Sequence, residues 1–524
     1  VGTADRGPGR PDGARLAELV ATLSLATDLG MGQPLEHALR TCALVVRVGE
    51  AAGVDRPALG TAYYLALLRY VGCTADAHES AAFFGDEIAA RADFALVDPA
   101  RPRELVRWLG RHAAAGAPAP KRALMLAAAL AAGARPMREA FRAHCEVAQR
   151  LAARLGMGAD VHAALGEAFE RWDGRGFPRG LAGEESCVPA RLVALARDAE
   201  VWSRACGAEV ALAVVRERSG SAYDPALAAA FAGCGGDALA ELEEGDAWDR
   251  ALAAEPGSPR TVAAAAVDDA CRAMADFADL KSPHTRGRSA AVADLAEAAA
   301  WRLRMAEPEV TGVRRAALLQ DLGRVGVSNA IWDAPRPLTA AEWERVRLHP
   351  YLSERILARC AALAPLAPLA GAHHERLDGS GYHRGTRAAG LERAARVLAA
   401  ADVLCALGED RPHRPALDEA AAEAVVRDEA RAGRLCAEAV GAVLEAAGHR
   451  GGPVTGPRPA GLTEREVQVL SLVGRGYSNR AVGAKLGISA KTAGRHVEGI
   501  YAKTGITTRA GAALFAAEHG LLRP

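Results

Sequence analysis

The chain has 524 residues, with 64 Lys+Arg against 64 Asp+Glu and a formal net charge of zero. Half of its residues are apolar, which excludes a disordered or collagen-like chain. No apolar run approaches the roughly 18 residues of a membrane span, and residues 1–13 lack the apolar core of a signal peptide, so a cytoplasmic protein without membrane partners is expected.

In chain order, residues 1–13 read as a disordered N-terminus. Residues 14–254 form a first helical unit, 255–260 a linker and 261–447 a second unit. The Gly/Pro-dense stretch 448–460 reads as another linker, and 461–524 as a small terminal domain. Ala and Leu dominate, and apolar residues recur at helical spacing, as in Val292, Leu295, Ala299 and Leu303. The expected fold class is all-α. The ten cysteines form no Cys-x-x-Cys pair and read as buried, reduced thiols.

The first two units are copies of one another. Asp28-Leu29, Ala66-Leu67-Leu68 and Gly72 recur 251 residues later as Asp279-Leu280, Ala317-Leu318-Leu319 and Gly323. Further along, Glu170-Arg171-Trp172-Asp173-Gly174-Arg175-Gly176-Phe177 recurs 205 residues later as Glu375-Arg376-Leu377-Asp378-Gly379-Ser380-Gly381-Tyr382, and His144 as His349. The offset drops by 46, so copy one carries that many extra residues, an insertion at about 74–130.

Copy two sets Asp321, His349, His373, His374 and Asp402 among its helices. Imidazoles and carboxylates suit Fe, Mn or Zn, and such ions activate water for phosphoester displacement. Residues 281–416 resemble the HD-GYP phosphohydrolases. The match runs through Leu319-Gln320-Asp321-Leu322-Gly323-Arg324, Leu348-His349-Pro350, the long His373–His383 motif and Arg396–Asp402. The resemblance implies an all-α metal-dependent hydrolase of cyclic di-GMP, with those five residues as metal ligands. Two ligand positions of the family are lost: its His-Asp pair reads Gln320-Asp321, and an upstream His reads Arg288. Gln is a poor ligand beside imidazole, and a permanently charged guanidinium repels a metal. Arg288 is expected to take the place of a cation beside Asp321 or Asp402. No catalytic residue is therefore assigned, and no cofactor is expected unless copy two retains a divalent metal. An alternative nucleotide receptor without turnover would use Arg288, Arg324 and Arg384 on phosphate.

Copy one is further degraded. Ala168-Phe169 stands for His373-His374, Arg69-Tyr70 for Gln320-Asp321, and Arg197 for Asp402. His37, aligned with Arg288, and His144 are what remains ligand-like. A composite site shared by the two copies is disfavoured, because each pocket forms inside its own bundle.

The terminal segment opens with a capping box, Thr463 to Glu466. Ser478 and Ser489 then cap two further helices at helix–turn–helix spacing. Nine basic residues face four acidic ones, a net of +5. Residues 462–522 resemble the LuxR-type DNA-binding family through Thr463, Arg465-Glu466, Ser478-Asn479, Lys491-Thr492, His496, Ile500-Tyr501, Lys503 and Gly505. This implies a four-helix domain whose third helix reads a major groove as a dimer on paired half-sites. Asn479, Ser489, Lys491, Thr492, Arg495, His496 and Lys503 are the expected DNA-binding residues. Gly483 and Gly494 depart from the family pattern, each at about 1 kcal/mol of helix stability. The expected protein is a DNA-binding transcriptional regulator whose tandem modules serve as sensor or dimerisation platform. Its expected partners are double-stranded DNA, a second copy of itself and a nucleotide or other small-molecule signal. The alternative is a phosphohydrolase in copy two.

Overall fold

The computed structural model describes residues 13–449, 454, 459–518 and 521. Most of the expected N-terminal tail and the core of the second linker, 450–453 and 455–458, lie outside the described residues. Gly13 opens a strand, Gly13–Arg15, that pairs antiparallel with Thr261–Ala263. The other elements are helical, as the Ala/Leu composition dictates.

Helix Leu16–Gly30 has 13 of its 15 residues buried. A helix apolar on all sides belongs between other elements. This one packs on helices His37–Ala51 and Arg56–Leu68 of its own copy. It also meets copy two, where its Leu29 lies against Gly326, and Glu18 accepts a hydrogen bond from the backbone N–H of Ala361 at 3.0 Å. One continuous apolar core therefore runs through both copies.

The duplication repeats in geometry. The buried Asp28 accepts from the Ala38 backbone N–H, and Asp279 accepts from that of Ser289, 251 residues on in both partners. A Cβ on Gly72 would lie 1.9 Å from the His144 carbonyl oxygen, and one on Gly323 would lie 2.2 Å from that of His349. Glu170 and Glu375 each accept two or more backbone N–H groups from the loop that follows, beginning with Arg179 and Arg384.

The segment expected as a linker at 255–260 is tied at both ends. The Glu255 carboxylate receives Arg15 at 2.7 Å and the Tyr64 hydroxyl at 2.6 Å, and the Leu16 N–H donates to the Arg260 carbonyl. The insertion forms helices Ala77–Phe84, Glu87–Phe94, Pro102–His112 and Ala119–Ala132. Trp108 holds three of them together, against Phe84 and Phe94. Glu87 reaches into copy two, where it receives Lys281 at 3.0 Å, Ser328 at 2.6 Å and the Asn329 backbone N–H. Burial alone would raise the Glu87 carboxyl, but Lys281 and those hydrogen bonds hold it below the usual range.

The terminal domain has a separate core of Val469, Leu470, Val482, Ala493, Val497 and Ile500. It comprises helices Glu464–Gly474, Asn479–Leu486, Ala490–Thr504 and Arg509–Glu518.

Candidate functional site

In copy two the chain turns after helix Glu307–Leu319, and the turn holds Gln320 and Asp321 buried. Gly323 lets the start of helix His349–Leu357 close on that turn, where a Cβ would push against the His349 carbonyl. His373 and His374 follow the short helix Ala367–Gly371, Asp402 projects from helix Arg393–Leu407, and Arg288 opens helix Arg288–Arg302. These segments bring all five expected ligands together, and the imidazole nitrogens of His349, His373 and His374 lie within 4.8 Å of one another.

The hydrogen bonds fix the tautomers. His349 Nδ1 lies 2.7 Å from the Val346 carbonyl, and His373 Nδ1 lies 2.7 Å from that of Ala370. A carbonyl only accepts, so each Nδ1 carries the proton and each Nε2 presents a lone pair. Those two Nε2 atoms face each other at 3.1 Å, with Asp321 Oδ1 at 3.4 Å and 3.6 Å from them. Three acceptors aimed at one point call for a cation between them. Burial, with His373 and His349 as neighbours, drives the His374 imidazole well below its ordinary value, and burial lowers His349 despite Asp321. Burial would raise Asp321, but the Arg324 charge beside it holds it well below the carboxylate range.

Arg288 occupies the other half of the site. Its guanidinium donates to Asp402 at 2.6 Å and to Glu409 at 2.7 Å, and lies 3.6 Å from Asp321. Gln320 Nε2 donates to the same Asp402 oxygen at 3.0 Å. Sequence reasoning missed Glu409, which lies just past the end of helix Arg393–Leu407, where no helical period marks it. The three arginines suggested for phosphate are committed elsewhere: Arg324 to Asp321 and the Trp332 ring, Arg384 to Glu354, and Arg288 to its carboxylates.

The equivalent place in copy one has a different character. His144 pairs with Asp76 at 2.9 Å and neighbours Cys73. Burial would lower it, but Cys73 and Asp76 outweigh that and push it up to about 10. His37 is tied to Glu200 at 2.5 Å inside its own bundle, far in role from any shared site.

In the terminal domain, Thr463 and Glu466 form the expected capping box, and Ser478 and Ser489 cap their helices. Lys491, Thr492 and Arg495 are exposed on helix Ala490–Thr504, and Lys491 and Arg495 have no ion-pair partner among the described residues. Thr492 shares a hydrogen bond with Ser489, and His496 is half-buried. Two of the expected DNA contacts are held internally: the Lys503 ammonium donates to Glu466 at 2.7 Å, and Asn479 Oδ1 accepts from Arg509 at 2.9 Å. Gly483 corrects the expectation of a weakened helix. A Cβ there would sit 2.6 Å from the Ile488 carbonyl oxygen, so the tight turn requires glycine. At Gly494 the nearest atom is 3.5 Å away, and the helix penalty stands.

Comparisons with known proteins agree with this geometry. Residues 113–227 and 272–435, more than half of the chain, match the family described as HD domain. Residues 460–516 match the bacterial regulatory proteins of the luxR family. The chain belongs to the HD domain family, and its terminal segment is a luxR-family domain. The 3'3'-cGAMP-specific phosphodiesterase 3 of Vibrio cholerae serotype O1 is 30% identical over 414 residues, covering 77% of this chain and 88% of its own length. A cyclic di-GMP phosphodiesterase of Pseudomonas aeruginosa is 36% identical over 145 residues, 28% of this chain and 34% of its own. A crystal structure of a cyclic GMP-AMP specific phosphodiesterase of V. cholerae aligns with a TM-score of 0.59 at 26% identity, covering 83% of this chain and 98% of that one.

HD-type phosphohydrolases depend on divalent metals. The donors here fit one ion, at the imidazoles of His349, His373 and His374 with Asp321. They do not fit a second, because Asp402 is bound to Arg288 and Gln320. No described helix is long and apolar enough to cross a membrane.

Proposed function

We propose that the chain is a DNA-binding transcriptional regulator, in which two HD bundles act as sensor or dimerisation platform for the terminal reader. The observation that carries this reading is the capped helix Ala490–Thr504, with Lys491 and Arg495 exposed beside Thr492. Side chains at the N-terminal half of such a helix reach base edges and phosphates in a major groove. The partner is double-stranded DNA, bound as a homodimer in the cytoplasm, with a nucleotide or another small molecule as signal. Binding of the full chain to genomic fragments at moderate salt tests the reading. Wild type is expected to select particular sequences, and Lys491→Ala with Arg495→Ala to weaken binding about ten- to hundredfold per contact and flatten the salt dependence. Wild type that binds every fragment equally overturns it.

A second reading is favoured by the two facing Nε2 atoms of His349 and His373. Copy two would then retain a divalent ion, Fe, Mn or Zn, and hydrolyse a cyclic dinucleotide. A bound ion would supply an activated water and polarise the phosphoryl oxygen. His349 and His373 would hold it through Nε2, with the Val346 and Ala370 carbonyls fixing each ring. Arg288, committed to Asp402 and Glu409, blocks a second ion. Metal content of the purified chain, with and without His373→Ala, decides: stoichiometric metal lost in the variant, with turnover of cyclic dinucleotides, supports the enzyme. Absence of both leaves copy two a regulatory module.

A further inference from the structure

Where copy two gathers acceptors, copy one gathers arginines. Arg69 and Arg197 hold the positions of Gln320 and Asp402, with Arg171 and Arg218 beside them. The carboxylates nearby are already committed. Asp98 receives Arg171 at 3.1 Å and lies 3.8 Å from Arg218. Asp173 receives Arg171. Asp198 receives Arg197 and the Tyr223 hydroxyl, and stands 4.0 Å from Arg218. Arg171, Arg197 and Arg218 thus meet these three carboxylates, Arg101 also lies 3.5 Å from Asp98, and Arg69 is left over.

Arg69 is only 9% exposed, yet its Nε and Nη1 have no hydrogen-bond partner among the described residues. The Nε atoms of Arg197 and Arg218 share that condition. The Arg69 guanidinium lies 4.9 Å from the Phe169 ring centre and 5.7 Å from that of Tyr70, and Arg197 lies 5.9 Å from the same Tyr70 ring. Aromatic faces offset part of the cost of a buried cation, but they accept no N–H bonds of full strength. The cluster is open to solvent at its edge, where Arg197 and Asp198 are 15% and 20% exposed.

We infer that this cluster is an anion site for a phosphoryl group, with Arg69 and Arg197 as donors and Phe169 and Tyr70 as walls. Free donors on three arginines outnumber the oxygens of a carboxylate, whereas a phosphoryl group offers three or more strong acceptors in the directions a guanidinium prefers. The substitutions that emptied copy one of metal ligands replaced two of those positions with cations. The inference stands on that charge inversion and does not need the regulator reading, because the assay contains no DNA.

The test is thermal unfolding of the full chain in sodium phosphate, and separately in guanosine 5'-monophosphate, against sodium chloride at equal ionic strength. It compares wild type, Arg69→Gln and Arg393→Gln, an exposed arginine elsewhere. The expected result is a midpoint raised by about 3 °C at about tenfold excess over the dissociation constant, in wild type and Arg393→Gln only. The larger of the two responses names the source, a free phosphate or a nucleotide. Equal responses in all three proteins, or none in wild type, overturn the inference. Should Arg69→Gln fail to fold, Arg69→Lys serves: unaltered affinity there overturns the inference equally, and a loss of about tenfold supports it.

Discussion

The two HD bundles share a backbone and disagree about charge. Both close a glycine against the carbonyl of an equivalent histidine, and both bury an aspartate under the same backbone N–H. Yet His349 faces a second imidazole and is lowered by burial, whereas His144 faces Asp76 and Cys73 and is raised to about 10. In copy two Arg288, Arg324 and Arg411 are matched by Asp321, Asp402 and Glu409; in copy one Arg69 is left without such a match among the described residues. The glycines and buried aspartates hold the fold, so they persist where the ligands have gone. The site positions answer to local electrostatics, and the two copies differ there: a matched set of charges in copy two, an unmatched arginine in copy one.

The pH dependence should divide the copies most strongly. His144 is raised from 6.5 to about 10, so its contribution is fully present below pH 6.5 and is lost as pH climbs towards 10, at most ~5 kcal/mol by linkage. His349 is lowered, so copy two weakens instead as pH falls below 6.5, when the unfolded chain takes up the proton that the fold refuses. Thermal midpoints from pH 5 to 10 should fall at both ends, and His144→Asn should flatten the alkaline limb alone. Parallel alkaline limbs in variant and wild type would break the contrast.

Removing Arg288 comes next. Arg288→Ala takes the guanidinium from buried Asp402, while Asp321 keeps Arg324 and Glu409 keeps Arg411, and breaking a buried pair in this way costs about 3–5 kcal/mol. Denaturant unfolding measures the loss. Added divalent metal should restore part of it if the carboxylates then gain an ion in place of the guanidinium, and metal without effect would show that the cup cannot be reclaimed.

The smallest effect should be common to both copies. Gly72→Ala and Gly323→Ala each force a Cβ against a histidine carbonyl, an overpacking cost of about 1–3 kcal/mol. Similar losses in the two variants are expected from urea midpoints. A tolerated Gly72→Ala would mean that copy one has relaxed its backbone as well as its chemistry.

Much of this was legible in the chain itself. The capping residues Thr463, Ser478 and Ser489 act on neighbours three residues away, so the terminal helices could be read directly. The shared Gly/Asp/aromatic pattern revealed the duplication, and Arg288 and Gln320 marked the lost ligands before any geometry was known. The internal partners of Lys503 and Asn479, Glu466 and Arg509, were not legible, because nothing local shows that they lie across the domain from them. Gly483 read as a weak point because its cost in the helix is local, while its need comes from the turn at Ile488.

The sequence by itself determined the helical class, the doubled module and the terminal luxR-family motif, because each is carried by short local patterns, the doubled module by their recurrence along the chain. The tertiary structure alone decided who pairs with whom. Arg288 meets Asp402 across 114 residues, Glu87 meets Lys281 across 194, and Arg69 meets no carboxylate among the described residues. A charge buried in a fold is stabilised or left wanting by whatever surface arrives opposite it, and that surface comes from distant stretches of chain.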